Sequence, residues 1–383
     1  MNPSASDSKP PAPPAQPERR PGVLAPGETN GDEAVRDAIH ALIAMKGGSP
    51  DADIVSEIIG TALKLVEGKS RRGDLKVINS TLKDMRYAFK IFSQYGRVPK
   101  VSIFGSARTQ PDAAAYAQAR EYARLMSEAG YMVITGAGDG IMRAGNEGAG
   151  KEMSFGVNIR LPFEQNANDI ILDDPKLINF KYFFVRKLCF IKETDAVAMF
   201  PGGFGTMDEA FEVVTLVQTG KSEPMPLVFV DTPGGGYWKA WENYVKGHLL
   251  AERYVSEEDL NLFHITDDPH EARDVVLRFY RNFHSTRQVR KTLVVRMKQP
   301  ANAALVEQLN VEFGDLLHGG RIETGPPLPE EANEPELAPL PRLYVPFNRR
   351  NHGRLRCLID AINASAPPSP AEVAAKKRHG TGA

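Results

Sequence analysis

The 383-residue chain has only two cysteines, Cys189 and Cys357, far apart and in no C-x-x-C spacing. Their scarcity argues against a disulfide framework, a zinc site or a redox pair, and fits a reducing cytoplasm. Long apolar runs are also missing. No stretch approaches the roughly 18 residues of a membrane span, and prolines stand where a signal peptide would have its apolar segment. A cytoplasmic location is therefore expected. Excess charge is absent as well: 47 Lys and Arg against 48 Asp and Glu give a formal net charge of -1. Neither nucleic acid nor an anionic membrane is expected as a partner, and any phosphate recognition must be local. There is no G-x-S-x-G elbow and no H-E-x-x-H, and the eight histidines are scattered. Serine-hydrolase and zinc-hydrolase readings thus lack support, and no metal is expected.

What is present divides the chain into five parts. Residues 1–30 are rich in Pro, Ser and Ala with almost no large apolar residues, which predicts a disordered tail. Residues 31–97 carry helical periodicity, punctuated by Gly47-Gly48-Ser49-Pro50 and by Gly68 to Gly73 into three helices. Over 98–285, short apolar runs alternate with amphipathic segments. Strands are predicted at 101–104, 132–135, 154–159, 196–200 and 227–230, with helices near 112–129, 140–151, 181–193, 206–219, 237–250 and 268–284. Strands separated by helices predict an α/β fold, a Rossmann-like, doubly wound parallel sheet. Residues 286–365 predict a small C-terminal α/β module, and 366–383 a second disordered tail.

Three of the predicted strands run into small-residue turns: Gly105-Ser106, Gly136-Ala137-Gly138-Asp139-Gly140 and Pro201-Gly202-Gly203-Phe204-Gly205. All three fall at the carboxyl edge of the sheet, where ligands of such folds bind, and helix N-termini there favour a phosphate. No turn completes G-x-G-x-x-G, since Ile141 and Asp208 occupy the third glycine positions, so a dinucleotide cofactor is disfavoured. GNEGAGKE at 145–152 approximates a nucleoside-triphosphatase loop but has Glu152 where a hydroxyl is needed. In PGGFGTMDE at 201–209, Thr206 adds a hydroxyl at the helix start. Thr206 and Glu209 also spell a capping box, so from spacing alone Glu209 reads equally as a cap or a catalyst. Arg186-Lys187 sits among Phe183, Phe184, Leu188, Phe190 and Ile191, an apolar setting for a basic pair, and an arginine there could grip a phosphate by its fork.

Phe104-Gly105-Ser106-Ala107-Arg108, TGAGDGIMRAGNEGA from Thr135, LPFEQ from Leu161, YFFVRK from Tyr182 and PGGFGTMDE from Pro201 together resemble the Lonely Guy (LOG) family, over roughly 100–265. That family, long mislabelled as lysine decarboxylases, comprises phosphoribohydrolases acting on cytokinin riboside 5'-monophosphates and related nucleotides. The resemblance implies hydrolysis of the N-glycosidic bond of a nucleoside 5'-monophosphate, without cofactor, by a homo-oligomer (dimer or larger). It implies Arg186 and Glu209 as the catalytic pair. It also implies Gly105, Ser106, Gly136, Gly138, Lys187, Gly202, Gly203, Gly205 and Thr206 around the substrate, with Glu164, Asp208 and Thr215 matching more loosely. Ala137, Asp139 and Arg143 depart from the family pattern; Ala137 reads as harmless by size, whereas Asp139 would repel a phosphate. Two alternatives stand beside this: a general purine or pyrimidine nucleotide nucleosidase in salvage, and a non-catalytic nucleotide-binding or molybdenum-cofactor-binding protein of the same fold.

Overall fold

The computed structural model describes residues 30–159 and 167–379. The expected N-terminal tail, apart from Asn30, and the LPFEQ segment with Glu164 lie outside the described residues. Contacts divide the chain into two compact units, one ending at Ile78 and one running from Asn79 onward. In the first, α1 (Asn30–Met45) and α2 (Ala52–Glu67) pack on each other, with Ile39 and Ile43 of α1 buried. Helix α3 (Arg72–Phe92) begins in this unit and ends in the second. Three helices thus stand where periodicity placed them, but the boundary between units falls inside the third and not near 97.

In the second unit the chain follows β1 (Lys100–Phe104), α4 (Ala114–Glu128), β2 (Met132–Thr135), α5 (Ile141–Ala149), β3 (Ser154–Ile159), β4 (Leu177–Phe180), α6 (Phe183–Lys192), β5 (Ala196–Met199), α7 (Phe204–Gln218), β6 (Leu227–Val230), α8 (Tyr237–Tyr244), β7 (Phe263–Thr266) and α9 (Pro269–Phe279). The seven strands form one sheet in the order β4-β3-β2-β1-β5-β6-β7, and every pairing is parallel. This is the Rossmann-like α/β architecture expected from the alternation of elements. Strands buried on both faces need helices on both sides. One face is covered by the end of α3 with α6, α7 and α8, through Phe92, Phe190, Val213, Trp238 and Trp241. The other is covered by α4, α5 and α9, through Tyr116, Tyr122, Ile141 and Val276.

The order of strands reverses between β1 and β5. After β1 the chain builds outward through β2, β3 and β4, then returns to the other side of β1 as β5. Connections leaving β1 and β5 therefore diverge to opposite faces and leave a crevice beyond their carboxyl ends. Gly105-Ser106 follows β1 and Pro201-Gly202 follows β5, so the topology alone brings these two turns together.

Beyond α9 the chain forms a second sheet with its own core. Strands β8 (Phe283–Val289), β9 (Thr292–Met297), β10 (Glu323–Gly325) and β11 (Arg342–Val345) are antiparallel in the order β10-β11-β9-β8, packed with α10 (Ala303–Glu312) and α11 (His352–Ala364). The module starts at Phe283, slightly earlier than expected, because β8 and β9 are one hairpin. Inside it Glu331 accepts from both Arg296 (2.7 Å) and Arg342 (3.1 Å), all three buried, and the arginines hold its carboxyl near 2 against the opposing effect of burial. Removing one member would strand a buried charge, at a cost of about 3–5 kcal/mol.

The expected tail after 365 is corrected by a last helix, α12 (Pro370–His379). Glu372 accounts for it: its carboxylate accepts from Ser369 N and pairs with Arg281 at 2.5 Å, while Ser369 Oγ accepts from Glu372 N. That is a reciprocal capping box, and Ala375 is buried with the sheet's second core.

Candidate functional site

The three glycine turns meet at the switch point between β1 and β5. Ser106 N donates to Pro201 O at 3.2 Å, and Ile141 N, at the start of α5, donates to Ser106 O at 3.0 Å. Gly105 packs against the Ile141 side chain and Gly138 against Met142. At Gly202 a Cβ would lie 2.1 Å from Thr206 Oγ1 and 2.9 Å from Ser106 N, so only glycine lets the turn after β5 close on the turn after β1. Tyr237, which the sequence does not single out, donates its hydroxyl to Gly202 O at 2.5 Å and fixes this turn from α8.

Helix α7 starts one residue beyond Gly203, which is its N-cap and provides no side chain to cap it. Thr206 is therefore the third residue of the helix and Glu209 the sixth. This removes the capping-box reading of Thr206 and Glu209, because both are already inside the helix. Gly203 and Gly205 are exposed, with open space where a Cβ would stand, and Phe204 between them is 96% exposed. The first turn of α7 thus presents bare backbone N–H groups and the positive end of the helix dipole to the crevice.

Glu209 is only 9% exposed, and its Oε2 has no hydrogen-bond partner among the described residues. Burial pushes its carboxyl up to about 7, against the pull of Lys187 and Arg186, while Glu212 and Asp208 reinforce the rise. A helix-start glutamate kept for structure would be solvated or bonded. A buried carboxylate with a vacant oxygen and a titration near neutrality has the features of a proton-transfer or charge-stabilising group.

Arg186 and Lys187 project from α6, and the structure gives them different surroundings. Arg186 Nε donates to Val157 O at 3.0 Å, and its guanidinium lies 5.4 Å from the Phe190 ring and 5.9 Å from the Phe183 ring. Its Nη2 stands 2.6 Å from where a Cβ on Gly136 would be, so the arginine lies directly on the turn after β2. Lys187 Nζ instead bridges Asp208 (2.8 Å) and Glu212 (2.6 Å) on α7. Although burial opposes it, hydrogen bonds to these carboxylates hold the ammonium above the usual lysine range. Lys187 and Asp208, both expected around the substrate, are thus engaged with each other.

Thr215 is not brought to this cluster. It is exposed, its hydroxyl donates to Phe211 O at 2.7 Å, and it lies about 14 Å along α7 from Thr206 at 1.5 Å per residue. Ala137 is more constrained than its size suggests: it is buried with φ of +62°, a left-handed conformation that costs an L-residue about 1–2 kcal/mol. Asp139 is exposed at the tip of the same turn. Arg143 pairs with Glu147 and Asp169, each at 3.0 Å, so it serves the surface beside the turn and not the crevice.

Among the described residues no helix is long and apolar enough to cross a membrane. Curated proteins give no match to the chain. Solved structures with similarity include the molybdenum cofactor binding protein from the phototrophic bacterium Rippkaea orientalis, at 17% identity and a TM-score of 0.33, covering 47% of this chain and 95% of that one. The molybdenum cofactor carrier protein from Chlamydomonas reinhardtii is similar at 18% identity and a TM-score of 0.32, covering 47% and 96%. The structural-genomics target TM1055 is similar at 21% identity and a TM-score of 0.34, covering 46% and 98%. Residues 136–276, which run from the turn after β2 through α7 into α9, match the model of the family described as "Possible lysine decarboxylase".

Proposed function

We propose that the protein hydrolyses the N-glycosidic bond of a nucleoside 5'-monophosphate, giving the free base and ribose 5-phosphate. The observation that carries this is the buried Glu209 carboxylate, whose Oε2 has no hydrogen-bond partner among the described residues, one and a half turns into a helix whose open N-terminus faces the same crevice. In this reading the phosphate lies on the backbone N–H groups of 203–206 with the Thr206 hydroxyl. Arg186 grips the phosphate or ribose hydroxyls. Anchoring one end of the substrate fixes the anomeric carbon against Glu209.

The chemistry is balanced without a further reactant. The C1'–N bond breaks with its electron pair going to the base, and charge at C1' rises toward an oxocarbenium ion that the Glu209 carboxylate stabilises. Water oxygen bonds to C1', its proton passes to the carboxylate, and the carboxylic acid so formed gives that proton up as the departing base is protonated, which restores the carboxylate. Lys187, bound to Asp208 and Glu212, offsets part of their charge, and its own charge favours the ionised form of Glu209 that the reaction requires.

The reading includes a homo-oligomer. Phe183, Phe184 and Leu188 on α6 and Phe204 and Phe211 on α7 are exposed large apolar residues, a composition that marks an interaction surface. Light scattering on the eluting protein checks this, and a monomer at micromolar concentration contradicts it. The activity is tested by incubating the protein with AMP, GMP, CMP and isopentenyladenosine monophosphate and separating free base by chromatography. Release of base supports the hydrolase, and the ranking of the four distinguishes cytokinin activation from salvage. Binding without release supports the non-catalytic alternative.

A further inference from the structure

The turn after β2 holds a left-handed alanine against its own preference, and one buried side chain accounts for this. Asn168, 4% exposed and about thirty residues downstream, donates its backbone N–H to Ala137 O at 2.8 Å. Its Nδ2 donates to Ala137 O, Gly138 O and Asn146 Oδ1, each at 3.0 Å. From the other side Thr135 Oγ1 accepts from Ala137 N at 3.0 Å and donates to Asn146 Oδ1 at 2.8 Å. The Ala137 Cβ is lodged against β3, 2.9 Å from where a Cβ on Gly156 would be, and the next residue, Val157, gives the carbonyl that Arg186 binds.

A trans peptide sets C=O and N–H on opposite sides. Turning the carbonyls of Ala137 and Gly138 toward Asn168 therefore turns the N–H groups of Gly138 and Asp139 away from it. Neither of these groups, nor that of Gly140, donates to a backbone carbonyl among the described residues. The arrangement has a cost that packing alone would not impose: Asn168 Oδ1 and Asn146 Nδ2 are buried without hydrogen-bond partners among the described residues. Apolar side chains would fill the same space without orphaned polar atoms.

We infer that Asn168 is a positioning residue: it fixes the Gly136–Gly140 turn so that its free N–H groups face the anion and Arg186 keeps its seat on Gly136. The inference rests on reading this edge as the phosphate site of the proposed hydrolase. Asn168 has no contact with the reacting atoms and acts through the turn.

The test uses the full chain with Asn168→Ala, Asn168→Asp and Thr135→Val. Affinity for ribose 5-phosphate is measured by calorimetry, and kcat and KM are measured with AMP. Asn168→Ala is expected to weaken ribose 5-phosphate at least tenfold and to raise KM by a similar factor, with kcat within threefold of the wild type. Asn168→Asp, similar in size but with a carboxylate facing two carbonyls, is expected to be at least as damaging. Thr135→Val acts on the same turn from the opposite side and is expected to follow. It decides the matter if the Asn168 variants do not fold, since wild-type affinity there overturns the inference. Wild-type affinity and KM in folded Asn168 variants overturn it while leaving the hydrolase intact. An enzyme that releases no base but binds ribose 5-phosphate in an Asn168-dependent way loses the hydrolase reading and keeps this one. No binding of ribose 5-phosphate by the wild type overturns both.

Discussion

The guanidinium of Arg186 occupies the space that a side chain on Gly136 would need, with Nη2 2.6 Å from that Cβ position. The turn after β2 and the arginine of α6 are fitted to each other, so a change at one is felt at the other. Gly136→Ala should therefore displace Arg186 and lower kcat/KM by about tenfold or more, a loss typical of a misplaced binding group. Kinetics with AMP checks this, and an unchanged kcat/KM would show that the arginine's seat has no part in turnover.

Gly202 and Gly203 are neighbours with opposite surroundings, which separates folding from binding. A Cβ at Gly202 collides with Thr206 and Ser106, whereas Gly203 has nothing within 4 Å and an extended φ of -89° that alanine adopts freely. Gly202→Ala should lower Tm by several degrees. Gly203→Ala should leave Tm unchanged and raise KM, because only the bound phosphate needs that space. Thermal unfolding and KM measured on both variants separate the two effects.

The Glu209 carboxyl titrates at about 7, and the account uses its ionised form to stabilise charge at C1'. The rate constant kcat/KM should then rise with pH on an apparent pKa near 7 and level off above it. In Glu209→Gln that limb should vanish along with at least about a hundredfold of kcat, within the range that a positioned acid or base contributes. A pH profile with the same limb in Glu209→Gln would assign the titration to another group.

The same shift makes a stability prediction. Folding raises the Glu209 pKa from 4.5 to about 7, so the native state binds the extra proton. The stabilisation is complete below 4.5 and is lost as pH rises through 7. Above 7 the folded protein carries an unfavourably buried carboxylate, worth on the order of 3 kcal/mol from the size of the shift. Glu209→Gln should therefore be more stable than the wild type at pH 8, with the difference shrinking toward pH 5. Denaturant unfolding at the two pH values measures it, and equal stabilities throughout would mean that the carboxyl is solvated.

The parts legible in the sequence were those set by local composition. Short apolar strands joined by amphipathic helices announced the parallel sheet, and small-residue turns after β1, β2 and β5 marked the ligand edge. Strands buried on one side gave weaker signals. Phe283–Val289 reads FHSTRQV, and Leu177–Phe180 is four residues behind a charged loop, so neither stood out. Helix α12 was hidden by its alanines and lysines, although Ser369-Pro370-Ala371-Glu372 spells the capping box that starts it. The T-x-x-E spacing at Thr206 leaves cap and catalyst open for Glu209, and only the helix start two residues earlier separates them. Asn168 gave no signal, since it acts on backbone carbonyls thirty residues away, and no spacing rule records such a contact.

Free base released from AMP and isopentenyladenosine monophosphate, measured for the wild type and Glu209→Gln side by side, decides whether Glu209 drives hydrolysis. The wild type should give stoichiometric base and ribose 5-phosphate, and a folded Glu209→Gln should bind the nucleotide but release almost none. Near-normal release by Glu209→Gln, or none by the wild type, would contradict it.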